Sequence, residues 1–189
     1  MADEKTLDGM RVAIVVTTNF EQVELTEPRK ALEAAGASCT IVAPQQHLTG
    51  MNHDEKADVF EAGAMLDQAS PDEFDAVLLP GGALNADVLR VNRSAQEFVR
   101  KMDRDGKPMA VICHAPWLLV SAGMVKGRRL TAYYTIQDDI RNAGGEYEDA
   151  EVIVDGNLVT SRQPSDIPAF NRETISLFAQ SRRKQPRAA

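Results

Sequence analysis

Cysteine is almost absent. Cys39 and Cys113 are the two in a chain of 189 residues, and two thiols make no disulfide framework at this size. Histidine is as scarce, at His47, His53 and His114. Neither residue type shows CxxC or HxxxH spacing, so no metal site is expected. No apolar run approaches the ~20 residues of a membrane helix. The first five residues, Met-Ala-Asp-Glu-Lys, carry charge where a signal peptide carries an apolar core. An excess of positive charge is also missing. With 21 Lys and Arg against 28 Asp and Glu the net charge is −7, which argues against nucleic acid as a partner. No GxGxxG or GxxxxGK(S/T) follows an apolar strand pattern, so nucleotide-phosphate binding has no support. The expectation is a cytoplasmic protein without membrane, nucleic-acid, metal or cofactor partners.

What is present is a patterned core. The length suggests a single domain, 1–189, with its core over about 10–180. The charged N-terminus and the basic tail from Ser181 to Arg187 would lie outside it, the tail as a frayed end. Continuous β-branched and apolar runs predict buried strands over 10–17, 38–43, 75–79 and 109–112. Helical spacing predicts helices over 24–35, 94–105, 116–122, 136–143 and 168–179, several closed by glycine. Residues 130–133 suggest a short strand, and 151–154 with 158–160 a hairpin about Asp155-Gly156. Residues 50–55 read as a loop, with room for short strands beside it. Strands alternating with helices predict an α/β fold, a three-layer sandwich around a mainly parallel sheet.

Cys113 ends the strand over 109–112, and Pro116 is placed to start the next helix. That puts the thiol on a strand-to-helix turn resembling a nucleophile elbow, near a helix N-terminus that favours thiolate. A buried structural thiol is the competing reading, and it is the reading for Cys39. Two more strand ends would share the sheet's carboxyl edge: Phe20-Glu21-Gln22-Val23-Glu24-Leu25 and Pro80-Gly81-Gly82. The two glycines would let backbone amides approach a developing oxyanion.

Together with Ile112-Cys113-His114-Ala115-Pro116, these segments resemble the PfpI-type intracellular proteases. That family lies within the superfamily of the Parkinsonism-associated protein deglycase, with a class I glutamine-amidotransferase-like fold. Gly127-Arg128-Arg129-Leu130-Thr131 and residues 152–162 extend the resemblance over about 11–177. It implies a flavodoxin-like sheet and no cofactor. Cys113 would be nucleophile and redox-sensitive thiol, with Glu24 as a protonated acid against its sulfur. The backbone amides of Gly82 and His114 would form the oxyanion hole. His114 would act with an acid from a neighbouring subunit, for which Asp87 is the nearest candidate. Glu21 and Tyr133 would be accessory. Bland readings stand beside these: first-turn charge for Glu24, a solvated helix-cap residue for Glu21, and an amphipathic strand aromatic for Tyr133. Ala115 replaces the family's usual glycine, and its methyl is expected to narrow the pocket or shift the turn.

The function implied is a stress-response hydrolase of deglycase or glyoxalase type. Its substrates would be small reactive carbonyls or glycated protein side chains, and it would form a homo-oligomer, at least a dimer. The alternatives are an intracellular cysteine peptidase and a non-enzymatic, redox-responsive stress protein or chaperone.

Overall fold

The computed structural model describes residues 6–184; the expectations for residues 1–5 and for the tail beyond 184 lie outside them. The chain opens with β1 (Arg11–Val15), β2 (Phe20–Glu21), α1 (Gln22–Ala34) and β3 (Ser38–Ala43). Next come β4 (His47–Asn52), β5 (Glu55–Glu61), β6 (Ala64–Met65), β7 (Ala76–Leu79), α2 (Ala83–Arg90) and α3 (Arg93–Arg104). Then follow β8 (Met109–Ile112), α4 (Pro116–Ser121), β9 (Arg129–Leu130), α5 (Gln137–Asn142) and β10 (Glu146–Tyr147). The described chain closes with β11 (Val152–Asp155), β12 (Leu158–Ser161) and α6 (Ile167–Lys184).

Seven strands form the central sheet in the order β11-β12-β8-β7-β1-β3-β6. All pairs are parallel except β11 with β12. Strands β3-β1-β7-β8-β12 reproduce the 2-1-3-4-5 order of the flavodoxin-like sheet. The apolar runs exist because both faces are covered. Along β1, Val12 and Ile14 pack in one core with Leu25 and Leu32 of α1 and Phe170 and Phe178 of α6. Ala13 and Val15 face the other core, with Phe98 and Met102 of α3 and Leu118 and Leu119 of α4. β7 and β8 alternate in the same way, as the two-residue strand period requires. Among the described residues no helix is long and apolar enough to cross a membrane.

Several expectations are corrected. The loop expected over 50–55 narrows to the turn His53-Asp54, and the strands beside it are longer than expected: β4 and β5 form an antiparallel hairpin. Its polarity hid it, since β5 is mostly exposed. Helix α2 went unread because its buried side is carried by Asn85, Ala86 and Leu89 while Leu84 and Val88 face outward, blurring the helical period. The last hairpin turns at Gly156-Asn157, because Asp155 pairs with Leu158; Gly156 supplies the positive φ of +60° at the first turn position. The strand over 130–133 shrinks to β9, and Tyr133 lies beyond it. The basic tail does not fray at Ser181, since α6 continues to Lys184. Cys39 lies on β3, half-buried against the α1-side core, where burial pushes its thiol up to about 12. It is a packing residue.

Candidate active site

A cavity of about 390 Å³ opens at the carboxyl ends of β7 and β8, beside the N-terminus of α1. The chain leaves β1 for β3 on one side and reaches β7 on the other, so this is the topological switch point where open α/β sheets bind ligands. Cys113, Glu24 and Gly82 line the cavity with His114 and Tyr133. Glu21 and His53 also border it, as do Gln163, Pro164 and Ser165 just after β12.

Cys113 has a φ of +64°, in the left-handed region that costs a non-glycine residue about 1–3 kcal/mol. That twist aims the side chain. Ile112 already faces the α1-side core, so a regular strand would send the next residue to the opposite side; Cys113 instead packs in the same core as Ile112. The conformation is pinned by two backbone bonds, Cys113 N–H to Ser161 O (3.0 Å) and Tyr133 N–H to Cys113 O (2.8 Å).

Glu24 sits in the first turn of α1 and is fully buried. Its Oε2 accepts from the Gly81 amide at 2.9 Å, and its other polar neighbour is the Cys113 thiol. Burial pushes its carboxyl up to about 8, against the pull of hydrogen bonds from Cys113 and Gly81. Cys113 is 6% exposed. Burial, and then the charge of Glu24, push its thiol up, while the amides of Gly82 and His114 pull it down. The thiol is therefore not the dipole-activated group expected of the turn. Carboxyl and thiol form one coupled unit in which a second negative charge is strongly opposed. When Glu24 holds the proton, its repulsion disappears and it becomes a donor to the sulfur.

The glycines of this loop are dictated by space. A Cβ on Gly81 would lie 2.5 Å from Glu24 Oε2 and 2.6 Å from Cys113 Cβ. Gly82 has a φ of +87°, and a Cβ there would meet Glu21 N at 2.6 Å. The Gly81 amide is taken up by the Glu24 carboxyl rather than left for an oxyanion, and the Gly82 amide faces the sulfur.

The His114 ring faces the thiol, with Nδ1 3.2 Å from Sγ. It stacks on Tyr133 at 4.6 Å between centroids, and burial lowers its pKa. Its Nε2 meets Thr135 Oγ1 at 3.2 Å, a hydroxyl where a triad would hold a carboxylate. Asp87 lies on the exposed side of α2 and does not border the cavity, so within this chain it does not pair with His114. Glu21 and Tyr133 do border it. The Ala115 methyl does not narrow the pocket: the residue has φ −58° and ψ −27°, open to any side chain, and packs into the core on the opposite face.

Sequence reading missed His53, Thr135, Gln163, Ser165 and Asn85. The signal for Gln163 and Ser165 was available, because β12 is parallel to β8 and its carboxyl end shares the same edge. Asn85 is fully buried. Its Oδ1 accepts from Thr17 N–H (2.8 Å), and its Nδ2 donates to Pro80 O (3.0 Å) and Gly81 O (2.9 Å). It ties the end of β1 to the glycine loop. Asn85→Ala is expected to cost about 2–4 kcal/mol in urea unfolding, through buried groups left unpaired. Asn85→Asp should also destabilise, since a carboxylate would oppose two carbonyls. A cost under about 0.5 kcal/mol, typical of surface positions, would show the loop to be held otherwise.

A family model described as the DJ-1/PfpI family matches residues 10–177. Deglycase TK1284 of Thermococcus kodakarensis is 42% identical over 169 residues, covering 89% of this chain and 99% of that protein. General stress protein 18 of Bacillus subtilis is 41% identical over 171 residues, covering 90% and 98%. Drosophila melanogaster DJ-1beta shares the fold with a TM-score of 0.79 at 23% identity, over 95% of this chain and 99% of that one.

Proposed function

This chain belongs to the DJ-1/PfpI family, and on that premise we propose that it is a cysteine-dependent enzyme of deglycase or glyoxalase type. Its substrates are small reactive carbonyls and their early adducts on protein side chains. The observation that carries the reading is the buried Glu24–Cys113 pair beneath two convergent amides. The sulfur adds to the aldehyde carbon, and the carbonyl electron pair moves to oxygen. That oxygen accepts from the amides of Gly82 and His114 and takes the proton held by Glu24. With a 2-oxoaldehyde, the Glu24 carboxylate then moves the proton from C1 to C2 while the hydroxyl proton on C1 passes to the oxygen on C2. The resulting thioester is hydrolysed to a 2-hydroxy acid, and oxidation of one carbon balances reduction of the other. With an aminocarbinol adduct, the C–S bond forms as the C–N bond breaks, and the nitrogen leaves as the amine with the proton held by Glu24.

Purified protein given excess methylglyoxal should form lactate in many equivalents per active site. Consumption that stops at one equivalent of covalent adduct would overturn the reading. A second reading, intracellular peptidase, draws on the 3.2 Å contact of His114 with the thiol; its test is fluorogenic-peptide turnover that disappears in Cys113→Ala. A redox-responsive role draws on the same amide and carboxyl donors, which would hold an oxidised sulfur, and the likeness to a general stress protein fits both enzyme and responder. The proposal takes residues 1–189 as one cytoplasmic unit that self-associates. Exposed Leu84, Val88, Val91 and Tyr134 support assembly.

A further inference from the structure

We propose that Gln22 is a positioning residue of the cavity rim: its paired hydrogen bonds to Asp58 hold the tip of the β4–β5 hairpin at the mouth and so set the size of group that reaches Cys113. The inference concerns access to the sulfur and stands apart from the reaction proposed above.

The base of the hairpin is anchored in the core. Leu48 is fully buried, and Phe60 meets Phe20 edge-on at 5.4 Å between centroids. Past Gly50 the anchoring stops: from Met51 to Val59 no residue is buried. Yet this tip carries His53 to the mouth of the cavity. The ladder between the two strands breaks at the same place. Thr49 pairs with Val59 and Met51 with Lys56, so Gly50 faces both Ala57 and Asp58. A bulge of this kind bends the strand and leaves a residue outside the ladder. Its amide needs another partner.

Gln22, the first residue of α1, supplies that partner from outside the hairpin. Its Oε1 accepts from Asp58 N–H, and its Nε2 donates to Asp58 Oδ2, both at 2.8 Å. A carboxamide suits the task because it donates and accepts at once. Gly50 clears its path, since a Cβ there would lie 2.6 Å from Gln22 Oε1. Two further ties join the tip to the same rim. β2 pairs with β4, Glu21 opposite Met51, and His53 N–H donates to Glu21 Oε2 at 3.2 Å. Cys113 is buried on the cavity that this rim borders, so what reaches the sulfur passes beside the tip. A tip free to swing about the bulge widens the mouth. A tip held by Gln22 admits only slender molecules.

The test reads access, not turnover. Full-length protein is alkylated with iodoacetamide, which is small, or with fluorescein maleimide, which is bulky, and modification is followed at the Cys113 peptide by mass spectrometry. Gln22→Glu loses the donated bond and sets a second carboxylate against Asp58. It should speed the bulky reagent about tenfold, as expected for one or two lost hydrogen bonds, and the small one by no more than about twofold. Amide exchange over 51–58 should quicken with it. Gly50→Ala, which displaces Gln22 sterically, should act in the same way. Gln22→Glu combined with Asp58→Asn restores both bonds with the side-chain roles exchanged. That double variant should return exchange and the reagent ratio to wild-type values, a rescue that a damaged fold does not give. The proposal is overturned by unchanged exchange in Gln22→Glu, by faster exchange with an unaltered reagent ratio, or by a double variant that fails to recover. Neither reagent is a carbonyl substrate, so absence of lactate formation in wild type would overturn the carbonyl-enzyme reading and leave this latch standing.

Discussion

In the Glu24→Gln protein, methylglyoxal turnover falls by about 10²–10⁴-fold, and the stability of the fold stops declining as pH rises. Both effects come from one proton. The carboxyl is pushed up to about 8 in the folded protein, from an ordinary 4.5. Between those values the folded chain holds a proton that the unfolded chain has released. Stability is thus greatest below the ordinary carboxyl range and is lost progressively toward pH 8, at up to about 1.4 kcal/mol per pH unit. Glutamine keeps the shape and can still accept from the Gly81 amide, but it has no proton to give the substrate oxygen. Urea unfolding of both proteins between pH 5 and 7.5, below the range of unfolded thiols, tests the proton directly. Parallel stability curves would mean that Glu24 is not held protonated. Unchanged turnover would remove it from the chemistry.

Gly81→Ala should be among the most damaging single methyls in the described chain. Its Cβ would fall 2.5 Å from Glu24 Oε2, 2.6 Å from Cys113 Cβ and 2.9 Å from Ile112 O. None of these is the free end of a flexible side chain. Glu24 is fully buried, and Cys113 is fixed by backbone bonds on both sides. Overpacking of this kind costs about 3 kcal/mol, or roughly 6–12 °C in Tm at this chain length. The Glu24–Cys113 contact must also open, so turnover should be lost even in the cold, where the variant is folded. Gly156→Ala is the control. It has a φ of +60° but no atom within 4 Å of the added carbon, so it should cost only the left-handed backbone penalty of about 1–2 kcal/mol. A loss in Gly81→Ala no larger than that in Gly156→Ala would show that the neighbours of Gly81 give way around the added carbon, since Gly81 itself has no positive φ.

What the sequence made legible follows from how strongly burial marks it. β3 and β8 match their expected bounds to the residue; β8 is apolar throughout because it is covered on both faces, and β3 is marked by the buried Ile41–Ala43 half that follows its polar start. The elbow at Cys113 was readable for the same reason: an apolar run ends there and a proline restarts the chain. Family resemblance then supplied Glu24, whose own pattern reads as first-turn charge. The unread parts have one face or none in the core. The β4–β5 hairpin is polar, and it brings His53 to a pocket formed by residues distant in sequence. Asn85 looks like a helix interruption until its three bonds are seen. The direction of the His114 ring depends on the left-handed turn before it, and no spacing rule encodes that. Asp87, named as an acid that would reach the imidazole from a neighbouring subunit, faces outward on α2, away from this chain's own cavity.

The two donors aimed at the sulfur, the amides of Gly82 and His114, belong to the main chain. Any residue except proline would carry the same N–H at position 114. The side chain there is thus free to change without removing the group that steadies developing charge. Mutational drift can alter which carbonyl compounds fit, through the ring at 114, the carboxylate at 21 and the segment after β12, while the stabilising half of the site persists. A protein built this way is evolvable in its selectivity and conservative in its chemistry, and libraries randomised at these rim positions should yield active variants far more often than libraries randomised at 24, 81 or 82.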